Sequence, residues 1–182
     1  MHFDSICVFC GAQSAVAKDH LALARRFGRK LAKNNRKLVY GGGDCGLMGE
    51  VAGGALEEGG YVIGVFPRHL NRIEAEHKGL SRMFLVDSMH ERKFIMYQNS
   101  DAFLVLPGGF GTLDEMFEVI TWRQIELHTK PVIILNYQGY WDKLVELMNH
   151  IIAEKFARPE TSDFFKVVHN EAEMDQLLGL KA

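Results

Sequence analysis

Glu115 closes the run Pro107-Gly108-Gly109-Phe110-Gly111-Thr112-Leu113-Asp114-Glu115, and Arg92 and Lys93 stand side by side upstream of it. A carboxylate can act as a base or stabilise a developing cation, and a guanidinium can balance that carboxylate or hold an anion. The glycines ahead of Glu115 let the backbone turn sharply and aim successive N–H groups at one point. With a helix behind them, such a turn holds anions such as phosphate. Thr112-x-x-Glu115 is also a capping box, by which the glutamate would reach back to the Thr112 N–H. The run alone therefore leaves the role of Glu115 open.

Arg92 and Lys93 pose a similar choice. Ser88-Met89-His90-Glu91 is a Ser-x-x-Glu capping box, so the two cations fall in the first turn and a half of a helix. There they oppose the helix dipole at a cost of a few tenths of a kcal/mol unless an anion lies nearby. Either they form a solvated basic pair, or Arg92 points over the strand ends toward a phosphate or carboxylate.

The elements that must position these residues alternate between short β-branched or aromatic runs and longer helical patterns. Strands are expected at Ser5 to Cys10, Lys37 to Tyr40, Tyr61 to Phe66, Met83 to Val86, Ala102 to Leu106, Pro131 to Leu135 and Phe165 to Val168. Helices are expected near Lys18 to Lys33, Leu47 to Glu58, Met89 to Gln98, Thr112 to Leu127, Tyr140 to Glu154 and Glu171 to Leu178. This order predicts an α/β, Rossmann-like, doubly wound and mostly parallel sheet of about seven strands with helices on both faces. Ligands of such sheets bind beyond the carboxyl ends of the strands. Gly11, the Gly41-Gly42-Gly43 cluster and the Gly108 to Gly111 turn all fall at such ends.

On the helix after the glycine turn, Leu113, Met116, Phe117, Ile120 and Leu127 form an apolar stripe at helical spacing. Glu115, Glu118, Val119 and Trp122 are then expected on the opposite side, where a partner subunit covering Trp122 would account for a large aromatic. The polar stretch Pro67 to Leu80 follows a strand and reads as a substrate loop or lid.

Composition narrows the function classes. The 182 residues are 47% hydrophobic and 24% charged, which fits one domain over residues 1–182. A formal charge of −2 gives no bulk attraction to a nucleic acid polymer or an anionic membrane, so phosphate binding must be local. The start of the chain has no basic leader and the apolar runs are short, so a cytoplasmic location is expected. Cys7 and Cys10 form C-x-x-C inside a strand pattern, where they face opposite sides of the sheet and read as packing rather than redox chemistry. The eight histidines show no pair at ligand spacing in one helix, and no metal or cofactor is expected. Gly41-x-Gly43-x-x-Gly46 matches the dinucleotide fingerprint, but it follows the second strand and the next strand ends in Val65-Phe66-Pro67-Arg68, without the acidic residue that holds a ribose. It reads as a tight turn with close helix packing. An NAD(P) oxidoreductase remains a distant alternative.

Taken together, Pro107 to Glu115 resembles the PGGxGTxxE signature, and Met89-His90-Glu91-Arg92-Lys93 the MxxRK signature, of the Lonely Guy family of cytokinin riboside 5′-monophosphate phosphoribohydrolases. Cys10-Gly11, Tyr40 to Gly43, Gly46 to Gly49 and Glu118 to Trp122 are similar to the family in the same order, although Ala12-Gln13 stands where it has Ser-Ser. The resemblance implies hydrolysis of the N-glycosidic bond of nucleoside 5′-monophosphates such as AMP or isopentenyl-adenosine monophosphate. It implies Arg92 and Glu115 as the catalytic pair, and Gly108, Gly109, Gly111 and Thr112 as the phosphate cradle. Lys93, Glu74 and Thr121 match its substrate-binding positions, and a homodimer with sites near the interface is implied. Some members carry a lysine decarboxylase label, for which the sequence offers no recognisable pyridoxal phosphate lysine. The non-enzymatic alternative is a nucleotide-binding or cofactor-binding module.

Overall fold

The computed structural model describes residues 3–72 and 76–181. Seven strands form one sheet: β1 (Ser5–Phe9), β2 (Lys37–Tyr40), β3 (Val62–Pro67), β4 (Arg82–Val86), β5 (Ala102–Val105), β6 (Val132–Leu135) and β7 (Lys166–Val168). Their order is β4-β3-β2-β1-β5-β6-β7 and every pairing is parallel. The connecting helices are α1 (Lys18–Lys33), α2 (Gly46–Glu57), α3 (Met89–Gln98), α4 (Phe110–Gln124), α5 (Asp142–Ala153) and α6 (Glu171–Leu178). The expected doubly wound α/β sheet is thus what forms, fully parallel rather than mostly so.

The strands are apolar on both faces because helices cover both. Along β1, Ile6 and Val8 enter one core while Cys7 and Phe9 enter the other. Along β5, Ala102 and Leu104 split from Phe103 and Val105 in the same way. Helices α1, α2 and α6 pack on the first face, and α3, α4 and α5 on the second. Cys7 and Cys10 therefore lie in separate cores, and burial pushes the Cys7 thiol well above its ordinary value, which keeps it an inert packing group.

Close packing explains the small residues in α1 and α2. A Cβ on Gly28 would stand 2.0 Å from the Val51 carbonyl oxygen, and one on Gly54 would stand 2.2 Å from that of Arg25. The two helices approach backbone to backbone, and Arg25 and Arg29 clasp Glu57 at their edge.

After β1 the order runs outward through β2, β3 and β4, then returns to β5 on the other side of β1. The chain thus diverges between β1 and β5, and a crevice opens beyond their carboxyl ends. Cys10, Gly11 and the Pro107 turn project into it.

Candidate active site

A cleft of about 490 Å³ occupies this crevice. The Pro107 to Gly111 turn forms one wall, with Gly11, Ala12, Leu47 and Met48 forming the other. Val16, His20, Leu70, Phe110 and Tyr140 also line it, as do Arg92, Thr112 and Glu115.

The anion-binding turn differs from its expected form in one respect. α4 starts at Phe110 with Gly109 as N-cap, two residues before the expected start, and no side chain caps it. Thr112 sits inside the helix, so the Thr-x-x-Glu box does not form and Glu115 lies a full turn further along. The N–H groups of Phe110, Gly111 and Thr112 find no acceptor among the described residues. An uncapped helix start in a cleft presents free donors and the positive end of the dipole to an anion.

The turn is held from both sides. The Gly11 N–H donates to the Pro107 carbonyl at 3.0 Å, and the Tyr140 hydroxyl donates to the Gly108 carbonyl at 2.6 Å. The Thr112 side chain is buried against Gly108, where a Cβ would meet its Oγ1 at 2.1 Å.

The start of α2, which carries the dinucleotide-like glycines, is occupied from within. Gly46 N–H donates to Ser14 Oγ at 3.2 Å, and Leu47 and Met48 N–H both turn to the Gly11 carbonyl. Its donors are used in joining the first loop to the helix, so a pyrophosphate has little to bind there. The packing reading of Gly41-x-Gly43-x-x-Gly46 holds, and Ser14 serves as an acceptor in that joint.

Arg92 and Glu115 meet at the base of the cleft. Both are nearly buried, at 8% and 6% exposure, with Arg92 Nη1 3.0 Å from Glu115 Oε1. Arg92 also donates from Nε to the Val65 carbonyl at 3.2 Å and from Nη2 to the Gly41 carbonyl at 3.3 Å. Gly41 is required here, since a Cβ would stand 1.8 Å from that Nη2. Burial raises the Glu115 carboxyl above the ordinary glutamate range, and the Arg92 charge pulls it back. The result is a fixed carboxylate of raised basicity beside a helix start that attracts anions.

The same geometry answers the question of the two cations. The Ser88 hydroxyl accepts the Glu91 N–H, and the Glu91 carboxylate accepts the Asp87 N–H. The α3 box therefore forms, one residue wider than its simplest version. Arg92 ends on a carboxylate, and Lys93 Nζ lies 3.0 Å from both Asp114 and Glu118. Burial opposes the Lys93 charge, but the two hydrogen-bonded carboxylates outweigh it and hold its pKa above the ordinary value.

Two expectations are corrected here. The buried face of α4 is Thr112, Glu115, Met116, Val119 and Ile120, so Glu115 and Val119 share the core side with Met116 and Ile120 rather than opposing them. The stripe is rotated because Arg92, on α3, supplies the countercharge that lets a glutamate face inward. Trp122 packs edge-on against Tyr97, with ring centroids 5.2 Å apart, so its own chain already accounts for part of its burial.

Of the substrate-binding positions implied by the resemblance, Gly108, Gly109, Gly111 and Thr112 line the cleft with Arg92 and Glu115. Lys93 and the exposed Thr121 lie on α3 and α4 outside it. Glu74 lies outside the described residues. Of the stretch expected as a substrate loop, Leu70 reaches the cleft from the short 3-10 turn Arg68–Arg72, and the His77 N–H donates to the Gly42 carbonyl. Tyr140, His20 and Met48 also line the cleft, although no motif in the sequence gives them a site role. Tyr140 follows β6, the strand beside β5, so the strand-end rule could have singled it out.

The family described as "Possible lysine decarboxylase" matches residues 48–178. Over 158 residues the chain is 44% identical to the cytokinin riboside 5′-monophosphate phosphoribohydrolase of Rhodococcoides fascians, covering 86% of this chain and 80% of that one. An Arabidopsis thaliana protein of the same name is 39% identical over 176 residues, covering 97% of this chain and 77% of the other. Among solved structures, a molybdenum cofactor binding protein from Rippkaea orientalis superposes with a TM-score of 0.73 at 21% identity, covering 98% of this chain and 97% of that one. The molybdenum cofactor carrier protein of Chlamydomonas reinhardtii gives 0.69 at 22%, covering 96% and 97%. These two likenesses concern the fold alone. The match over residues 48–178 and the curated relatives show that this chain belongs to the Lonely Guy family, described as "Possible lysine decarboxylase".

Proposed function

We propose that this protein is a phosphoribohydrolase that cleaves the N-glycosidic bond of nucleoside 5′-monophosphates, releasing free base and ribose 5-phosphate. The observation that carries the reading is the buried Arg92–Glu115 pair, 3.0 Å apart, in one cleft with the uncapped start of α4. The relatives named as phosphoribohydrolases point to the same reaction.

Each part has a task. The 5′-phosphate binds the free N–H groups of Phe110, Gly111 and Thr112, with Gly108 and Gly109 shaping the turn. This places the ribose over Glu115. As the C1′–N bond breaks, its electron pair leaves with the base and C1′ gains cationic character, which the Glu115 carboxylate stabilises. Glu115 then takes a proton from the water that attacks C1′ and passes it toward the departing base. Arg92 keeps Glu115 ionised despite its burial and fixes its orientation.

A homodimer fits an exposed apolar surface formed by α3 and the segment just past the end of α4. Phe94, Ile125 and Leu127 are exposed there, and Phe94 and Leu127 are joined through Tyr97, whose hydroxyl donates to the Leu127 carbonyl. A second copy on this face would bring Lys93 and Thr121 to the edge of an enlarged site. Glu74 stays a candidate contact from the substrate loop. Among the described residues no helix is long and apolar enough to cross a membrane, in keeping with the cytoplasmic location we propose.

Lysine decarboxylation finds no support in the cleft. No lysine lines it among the described residues, and the Lys93 ammonium is bound to two carboxylates. A nucleotide-binding or cofactor-binding module would use the same cleft without needing Arg92 or Glu115. The test is incubation with a panel of nucleoside monophosphates, including AMP and isopentenyl-adenosine monophosphate, followed by chromatography. Free base and ribose 5-phosphate are expected. Binding without release of base would support the carrier reading instead.

A further inference from the structure

We infer that Tyr140 is a positioning residue that sets which way the Gly108–Gly109 peptide points; this rests on the phosphate-anchor reading above. A peptide unit is planar, with its carbonyl oxygen and N–H on opposite sides. Gly108 and Gly109 flank this unit, and with no Cβ on either side its plane can turn over at little cost. One orientation adds the Gly109 N–H to the donors at the start of α4. The other points the Gly108 carbonyl oxygen at the same anion and repels it.

The structure shows what selects between them. The Tyr140 hydroxyl donates to the Gly108 carbonyl at 2.6 Å, which holds that oxygen toward Tyr140. Tyr140 is itself braced. Its ring meets Trp141 at 4.7 Å and His20 at 5.6 Å, both edge-on. The backbone at Trp141 is fixed in turn, because its main-chain N–H donates to Asn136 Oδ1 at 2.7 Å while Asn136 Nδ2 donates to Asp142 Oδ1 at 2.7 Å. The start of α5 thus forms a rigid post with Tyr140 at its tip. The neighbouring Pro107 carbonyl is held by the Gly11 N–H, so both carbonyls that could face the anion are tied back.

Turning the peptide over would carry Gly109 from φ −104° into the positive range. Glycine accepts that range, but alanine pays for it. No atom beyond its chain neighbours lies within 4 Å of a Cβ built on Gly109, so alanine fits the observed orientation. Gly109→Ala should therefore do part of the work of the latch by penalising the flipped state.

The experiment combines these two changes. Tyr140→Phe should raise KM for the nucleoside monophosphate, and Kd for ribose 5-phosphate, by about threefold to tenfold, the value of one hydrogen bond. Turnover at saturation should stay within about twofold, and cleavage of the nucleoside lacking phosphate should not change. In a Gly109→Ala background the same Tyr140→Phe change should cost less than about twofold. A general loosening of the site would instead slow nucleoside cleavage as well, and its penalty would persist in the alanine background. Either that pattern or an unchanged KM in Tyr140→Phe overturns the inference. A wild-type protein indifferent to the 5′-phosphate would sink the anchor reading, not the latch. The latch is then read from the Gly109 amide resonance, which must shift in Tyr140→Phe and stays in place if Tyr140 does not orient the peptide.

Discussion

The starts of α3 and α4 carry the same sequence pattern, a hydroxyl residue followed three positions later by glutamate, and they fold differently. At Ser88 the pattern closes on itself: the hydroxyl accepts the Glu91 N–H and the glutamate accepts a backbone N–H in return. At Thr112 it does not, because α4 begins earlier, at Phe110, and Gly109 takes the cap position without any side chain. The first helix start is complete in itself, whereas the second keeps its donors free and turns its glutamate inward to Arg92. A helix start left unfinished in a cleft keeps its donors open to a ligand.

The largest test of this contrast is Glu115→Gln. Glutamine is isosteric and its oxygen can still accept the Arg92 hydrogen bond, while the charge and the basicity are gone. Turnover should fall by about 10² to 10⁴, the range for loss of a general base. Melting temperature should fall as well, because the buried Arg92 keeps a hydrogen-bond acceptor but loses its countercharge. Substantial retained turnover would return Glu115 to a structural role.

Arg92→Ala should reduce turnover too, but with a different signature. A solvated arginine could be removed at little cost, but Arg92 is buried and paired. Breaking such a pair costs about 3–5 kcal/mol, or about 10 °C in melting temperature for a chain of this size. Glu115 already titrates above the ordinary glutamate range because of burial, and losing Arg92 raises it further. A raised carboxyl favours folding while protonated, so this contribution is present at low pH and lost as pH rises through the folded-state pKa. The Arg92→Ala destabilisation should therefore shrink on acidification, and the acid limb of kcat/KM should move to higher pH. A limb that stays in place would separate Arg92 from the ionisation of Glu115.

The contrast also marks what could be read in advance. The strands and helices were legible because each is written locally, as an apolar run or a stripe at helical spacing. The α4 start was not: Phe110 is 92% exposed, and nothing in its type marks it as the first helical residue. The inward turn of Glu115 depends on a cation from α3, and the Tyr140 latch joins residues 32 apart in the chain across the top of the sheet. Such features belong to the assembled fold, so helical periodicity alone placed Glu115 on the outer face.

The two helix starts can also be exchanged in character. Gly109→Asp gives α4 the cap it lacks, and the added Cβ meets no atom within 4 Å beyond its chain neighbours. Aspartate at the cap position gains only a few tenths of a kcal/mol over glycine, so melting should change little or rise slightly. Its carboxylate would occupy the free N–H groups and repel phosphate, so KM should rise by at least about tenfold, consistent with the loss of about 1.4 kcal/mol of phosphate binding. An unchanged KM would show that the anion does not bind at this helix start.

Ser88→Ala is the reciprocal change and the smallest. It removes a cap that already has its partner in Glu91, at a cost of about 1 kcal/mol, or about 2–4 °C in melting temperature. KM and turnover should stay near wild type at temperatures well below melting, because Arg92 is held by Glu115, Val65 and Gly41 rather than by the cap. A loss of turnover larger than the loss of stability would mean that the α3 start also tunes the Arg92–Glu115 pair, and the two helix starts would then act on the same chemistry.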